Sequence, residues 1–115
     1  MSKARIGVNI NMPQILQEYL NASNAHDVNA ILSCFSDDAI VRDEGKDFHS
    51  KKMIEDWAAK TLEKYKFQFK PLSVKSDDAK VVVSIEVSGT FPGSPVNLDY
   101  YFTIQDDKIL SLAIE

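Results

Sequence analysis

Phe35-Ser36-Asp37-Asp38-Ala39-Ile40-Val41-Arg42-Asp43 is the stretch whose reading decides the fold. Ser36-Asp37-Asp38 has the composition of a turn. The residues after it, 39–43, make a short strand that ends in a carboxylate. Two helical patterns lead into this stretch and a third follows it, after which the apolar period becomes that of strands. Asp43, at the strand end, is the first candidate for any chemistry.

Upstream, Met12, Ile15, Leu16, Tyr19 and Leu20 have the i, i+3, i+4, i+7, i+8 spacing of a one-sided helix. Asn11 is placed to cap it, and Pro13 is tolerated in its first turn. Residues 21–26 are polar and close it. Asp27 reads as the N-cap of a second helix with Val28, Ile31, Leu32 and Phe35 on one face, so the two helices form a hairpin. Residues 1–11 carry no clear period and read as a tail or an edge segment, leaving residues 12–115 as a single domain.

Downstream, residues 44–47 (Glu-Gly-Lys-Asp) are a polar turn, followed by Phe48-His49. Ser50 caps a third helix whose stripe is Met53, Ile54, Trp57, Ala58, Thr61, Leu62 and Tyr65. From Lys66 the period is two. Phe67 and Phe69 alternate, Pro71 breaks the phase, and Leu72 and Val74 resume on a shifted register, which predicts a bulge. Asp77-Asp78 is a hairpin turn. Val81, Val83, Ile85 and Val87 share one strand face. Residues 92–95 (Pro-Gly-Ser-Pro) are a strong turn signal. Val96, Leu98, Tyr100, Phe102 and Ile104 form the next buried face, with Asp99, Tyr101 and Thr103 opposite. Residues 105–107 turn the chain, and Leu110, Leu112 and Ile114 complete a last strand. Helices gathered on one side of a mainly antiparallel sheet define an α+β layer fold. Bends at Pro71 and Gly89 curl that sheet into a cone around the helices, with a pocket at its wide end.

The totals narrow the function. At 115 residues, 44% hydrophobic and 26% charged, the chain has the composition of an ordinary globular domain. Its net charge of −4 argues against nucleic acid, which needs a concentrated basic face. The lysines near residues 46–52 and 60–70 alternate with acids and read as a solvated face. The single cysteine, Cys34, permits no internal disulfide and reads as a buried structural thiol. No apolar run approaches the roughly 18 residues of a membrane span, and the first residues do not form a secretory signal, so a cytoplasmic protein without a membrane partner is expected. No His/Cys/Asp/Glu grouping has metal-ligand spacing and no glycine-rich phosphate loop occurs, so neither metal nor cofactor is expected.

Tyr19-Leu20, residues 27–32 (Asp-Val-Asn-Ala-Ile-Leu), the 35–43 stretch, Phe48-His49-Ser50 and the closing strand pair through Ile114 together carry a family resemblance. Over residues 12–115 the chain resembles the nuclear transport factor 2-like superfamily, and within it the SnoaL-like and ketosteroid-isomerase-like proteins. The resemblance implies a cone-shaped, cystatin-like sheet, a homodimer through the sheet's outer face and a pocket for a small hydrophobic molecule. It does not choose among the isomerases, cyclases, dehydratases, transport factors and non-catalytic binders that share this fold.

Carried over by position, Asp43 stands where ketosteroid-isomerase-like enzymes place the aspartate that takes a proton next to a carbonyl. Tyr19 stands where they place the tyrosine that donates to the enolate oxygen. Their third element, a protonated carboxylic acid, is missing. Tyr100 takes its place, with Asp99 beside it facing outward. Glu44 stands where that family commonly has proline. Phe35, Val41, Trp57, Phe69 and Phe102 are the expected apolar walls, and each is equally a core residue. His49 admits an Asp–His pair with Asp43, as in dehydratases of the superfamily, although their histidine lies elsewhere in the chain. His26 is a loop residue at a helix end. The plain alternatives are a solvated strand-end carboxylate for Asp43 and a core tyrosine for Tyr19. The functional expectation is a cofactor-free isomerase or aldol-type cyclase, or a non-catalytic ligand-binding or dimerisation module in the same cone. A protein–protein adaptor is disfavoured by the mixed character of Asp99, Tyr101 and Thr103.

Overall fold

Asp27 and Ser50 each cap a helix as their positions implied. The Asp27 carboxylate accepts from the Ala30 N–H at 3.1 Å and the Ser50 hydroxyl from the Met53 N–H at 3.1 Å. They fix the starts of two of the three helices in the computed structural model, which describes residues 12–115. The helices are α1 (Gln14–Asn24), α2 (Val28–Ser33) and α3 (Lys51–Tyr65). The strands are β1 (Phe35–Asp43), β2 (Lys46–Phe48), β3 (Gln68–Asp77), β4 (Lys80–Ser88), β5 (Val96–Gln105) and β6 (Lys108–Ile114). The expected tail and the Asn11 cap lie outside the described residues. Pro13 occupies the N-cap position of α1 with no side-chain cap.

One curled six-stranded sheet runs in the order β2-β1-β6-β5-β4-β3. Every pairing is antiparallel except that of β1 with β6, which is parallel. The helices cover the inner face. Leu16, Ile54, Val41, Val83, Ile85 and Ile109 are fully enclosed between the layers. This is the α+β cone that the alternation of periods implied.

Several local expectations are corrected. Residues 36–38 do not reverse the chain. They belong to β1 as an irregularity, because β1 advances five residues from Phe35 to Ile40 while β6 advances two, from Ile109 to Ser111. Residues 46–48 are a short strand rather than part of a turn, and only Glu44 and Gly45 turn. Both have positive φ (53° and 76°), the geometry of a two-residue hairpin whose twist matches its strands. Proline, locked near −65°, cannot occupy the Glu44 position of this turn. Phe35 begins β1 rather than ending α2, and Met53 is exposed rather than part of the α3 stripe.

The predicted bulge is present, and Leu72 is its extra residue, so Leu72 points outward. A second bulge has no counterpart in the sequence pattern. The β5–β6 register slips between Thr103 and Ile104, and this turns Ile109 rather than Leu110 into the core.

Candidate functional site

Val41 and Asp43 are two residues apart on β1 and therefore face the same way. Val41 is fully buried, while Asp43, at the strand's end, emerges onto a cavity of about 430 Å³. The β1–β2 hairpin holds that strand end. Arg42 on its outer side binds Asp47 in bidentate fashion, Nε to Oδ1 at 2.7 Å and Nη2 to Oδ2 at 3.1 Å. From α3, Trp57 Nε1 donates to Asp43 Oδ2 at 3.0 Å. Burial holds the Asp43 carboxyl above its ordinary value. The Trp57 N–H draws it back, the Glu44 carboxylate pushes it up, and the Glu44 backbone N–H lowers it again.

Tyr19 enters the same cavity from α1 and Tyr100 from β5. Burial drives both hydroxyls above their usual range. The Ser23 hydroxyl beside Tyr19 partly opposes this, and the Asp43 charge raises both further. Both phenols therefore keep their protons at neutral pH. The three groups feel one another across a mostly apolar space that also includes Trp57, Phe69 and Val87.

Five of the nine residues singled out from sequence meet here: Asp43, Tyr19, Tyr100, Trp57 and Phe69. Phe35, Val41 and Phe102 do not line the cavity. Phe35 and Phe102 instead clamp the Tyr19 ring edge-on, at centroid distances of 5.9 and 5.6 Å. They hold the Tyr19 ring without lining the cavity. His49 is exposed just beyond β2, on the side of Asp47, and it is not brought to Asp43. Among the described residues, no group of three His, Cys, Asp or Glu side chains is placed to hold a metal.

Other features of the lining are not visible in the sequence. Trp57 reads there as wall, but its indole N–H is the only side-chain donor on Asp43 among the described residues. Glu44 and Tyr65 form a rim, with the Tyr65 hydroxyl 3.4 Å from Glu44 Oε2 and its ring edge-on to Phe91. The segment carrying Phe91 is pinned by the Thr90 N–H to the Tyr65 carbonyl at 2.8 Å. Gly89 permits that approach, since a Cβ there would collide with the same carbonyl oxygen. Ser23 has one signal in the sequence, its place one helical turn beyond Tyr19.

A curled sheet wrapped on three helices around an apolar cavity is the architecture of the nuclear transport factor 2-like class. The SnoaL-like domain model matches residues 16–112, and the chain belongs to that family. A candidate polyketide cyclase from Sinorhizobium meliloti is 36% identical, with a TM-score of 0.88 over 90% of this chain and 95% of that one. A protein from Catenulispora acidiphila with a ketosteroid isomerase-like fold, crystallised with trimethylamine, has 17% identity and a TM-score of 0.81. It is covered over 86% of its length by 91% of this chain. The epoxide hydrolase/cyclase-like enzyme SalBIII of polyether salinomycin formation has 22% identity and a TM-score of 0.77, over 88% of this chain and 86% of that one. No curated protein matches the chain by sequence. No helix among the described residues is long and apolar enough to cross a membrane.

Proposed function

We propose that the cavity binds a small, largely apolar carbonyl compound and that Asp43 removes a proton from the carbon next to its carbonyl. One observation carries this reading: the Asp43 carboxylate opens onto the same apolar space as the Tyr19 and Tyr100 hydroxyls. In the proposed step the Asp43 carboxylate takes the proton, the electron pair of the C–H bond becomes the carbon–carbon double bond of the enolate, and the π pair of the carbonyl moves onto its oxygen. Tyr19, with Tyr100 as second donor, hydrogen-bonds the resulting enolate. Return of the proton to another carbon is isomerisation; attack of the enolate carbon on a second carbonyl is aldol cyclisation. The 36% identical candidate polyketide cyclase supports the second course. A raised carboxylate pKa suits a base working near neutrality. Fixed donors at the developing oxyanion contribute the larger part of such a rate enhancement.

The test is deuterium exchange. With 1-tetralone in D₂O, wild-type protein accelerates loss of the α-proton NMR signal, and Asp43→Asn slows that exchange by about 10²- to 10⁴-fold. Equal exchange in both proteins refutes the base assignment. A second reading, a non-catalytic binder, rests on the Trp57 and Glu44 N–H groups, which already occupy the Asp43 carboxylate as hydrogen-bond donors. Tetralone binding without Asp43-dependent exchange would select it.

A further inference from the structure

Ser23 is 1% exposed, lies on the cavity wall, and its Oγ has no hydrogen-bond partner among the described residues. It stands near enough to the Tyr19 hydroxyl to draw that phenol's pKa down, yet the two form no bond of hydrogen-bonding geometry. A hydroxyl inside a helix often returns its proton to a backbone carbonyl one turn earlier. This chain does so elsewhere. Thr61 Oγ1 donates to the Trp57 carbonyl at 3.0 Å, and Ser33 Oγ donates to the Ala30 carbonyl at 2.8 Å. Ser23 does not, although it sits in the last turn of α1, one turn beyond Tyr19. The other buried orphan, Ser36 Oγ, lies in the irregular part of β1 and does not line this cavity. An unpaired buried hydroxyl beside a phenol that lines a cavity is a group which that phenol can complete when an occupant turns it.

We propose that Ser23 is the positioning residue for Tyr19, donating to the Tyr19 hydroxyl oxygen when Tyr19 donates to a ligand, and that the cavity thereby selects a neutral molecule with a carbonyl oxygen at its Tyr19 end. This rests on the ligand-binding reading above and specifies its ligand. The Tyr19 hydroxyl has one proton and a lone pair to spare. A ligand oxygen turns that proton toward the cavity and exposes the lone pair toward Ser23. Bonds joined in such a chain polarise and strengthen one another. A hydrocarbon occupant offers no acceptor and leaves Ser23 unpaired. An anionic occupant is disfavoured, because the lining carries Asp43, Glu44 and Glu115 and no Lys, Arg or His side chain among the described residues.

The experiment is a double-mutant cycle on binding, with 1-tetralone and its hydrocarbon counterpart tetralin as probes. The Trp57 indole N–H resonance reports occupancy, since the chain has one tryptophan and it lines the cavity. Wild type is expected to prefer tetralone. Ser23→Ala weakens tetralone about fivefold, leaves tetralin unchanged and does not lower the melting temperature. In the Tyr19→Phe background the same substitution has no effect on tetralone. An equal loss for both probes, or a lower melting temperature, makes Ser23 structural and overturns the proposal. A Ser23→Ala effect that survives in Tyr19→Phe also overturns it. If wild type binds neither probe, the ligand reading fails and Ser23 with it. If both bind but exchange does not depend on Asp43, only the catalytic reading fails.

Discussion

The indole N–H of Trp57 and the carboxylate of Asp43 meet at 3.0 Å, joining the middle of α3 to the end of β1. This bond favours the charged carboxylate and holds its pKa down against the effect of burial. Trp57→Phe keeps most of the ring's packing against Phe48 and removes the donor. The Asp43 carboxyl then rises further, so the acid limb of the exchange rate against pH moves to higher pH. A profile measured from about pH 4 to about pH 9 on both proteins reads this shift. An unmoved limb would separate Trp57 from the base.

Asp43 also leaves a signature in stability. Its pKa is higher in the folded chain than the ordinary 3.8, so folding favours the neutral form. The contribution is complete below 3.8 and is lost as pH rises through the raised native value. An amide in place of the carboxyl is neutral throughout and escapes that loss. Asp43→Asn therefore melts higher than wild type at neutral pH, and the gap narrows as pH falls toward 3.8, measured by thermal scans at stepped pH.

Tyr19 separates packing from chemistry. Phenylalanine keeps the edge-on contacts with Phe35 and Phe102 and removes only the hydroxyl. Tyr19→Phe should leave the melting temperature within about 2 °C of wild type while lowering the exchange rate about 10²- to 10³-fold, as for a lost oxyanion donor. Steady-state exchange at saturating tetralone gives the number, and the loss belongs in kcat.

Asn24 clasps the edge of the sheet. Its Nδ2 donates to the Phe69 carbonyl at 3.0 Å, and the Phe69 N–H donates to its Oδ1 at 2.7 Å, as a neighbouring strand would. Asn24→Ala leaves both backbone groups without these partners and should cost about 1–3 kcal/mol, seen as a melting temperature lower by several degrees. The amide of Phe69 should exchange with solvent faster than those of β4. Unchanged protection would mean the clasp contributes nothing.

Residues whose role follows from local pattern were legible before the structure. Asp27 and Ser50 as caps, the buried face of β4 and the bulge beside Pro71 all follow from spacing and side-chain type. Long-range outcomes were not. Ile109 displaced Leu110 from the core because the β5–β6 register slips beside Ile104, and no alternation of apolar residues announces that slip. At the site, the convergence of Asp43, Tyr19 and Tyr100 came from the family resemblance. Phe35 and Phe102 were apolar and near the right elements, yet which side of the Tyr19 ring they occupy depends on packing. Ser23 and the indole donor of Trp57 stayed hidden because a serine in a helix and a tryptophan in a stripe have ordinary explanations.

The parallel pairing of β1 with β6 sets a timetable for synthesis. Apart from its short hairpin partner, the strand that carries Asp43 has no neighbour in the sheet except the last strand of the chain. On the ribosome, the helices and the first hairpin emerge with only one another to dock against, while β3, β4 and β5 can zip up in order as they appear. Only when residues 108–114 are free can the two halves close and Asp43 be brought opposite Tyr100. The acid and its donors thus come together in one late event, and a nascent chain stalled before residue 108 should carry a meander but no site.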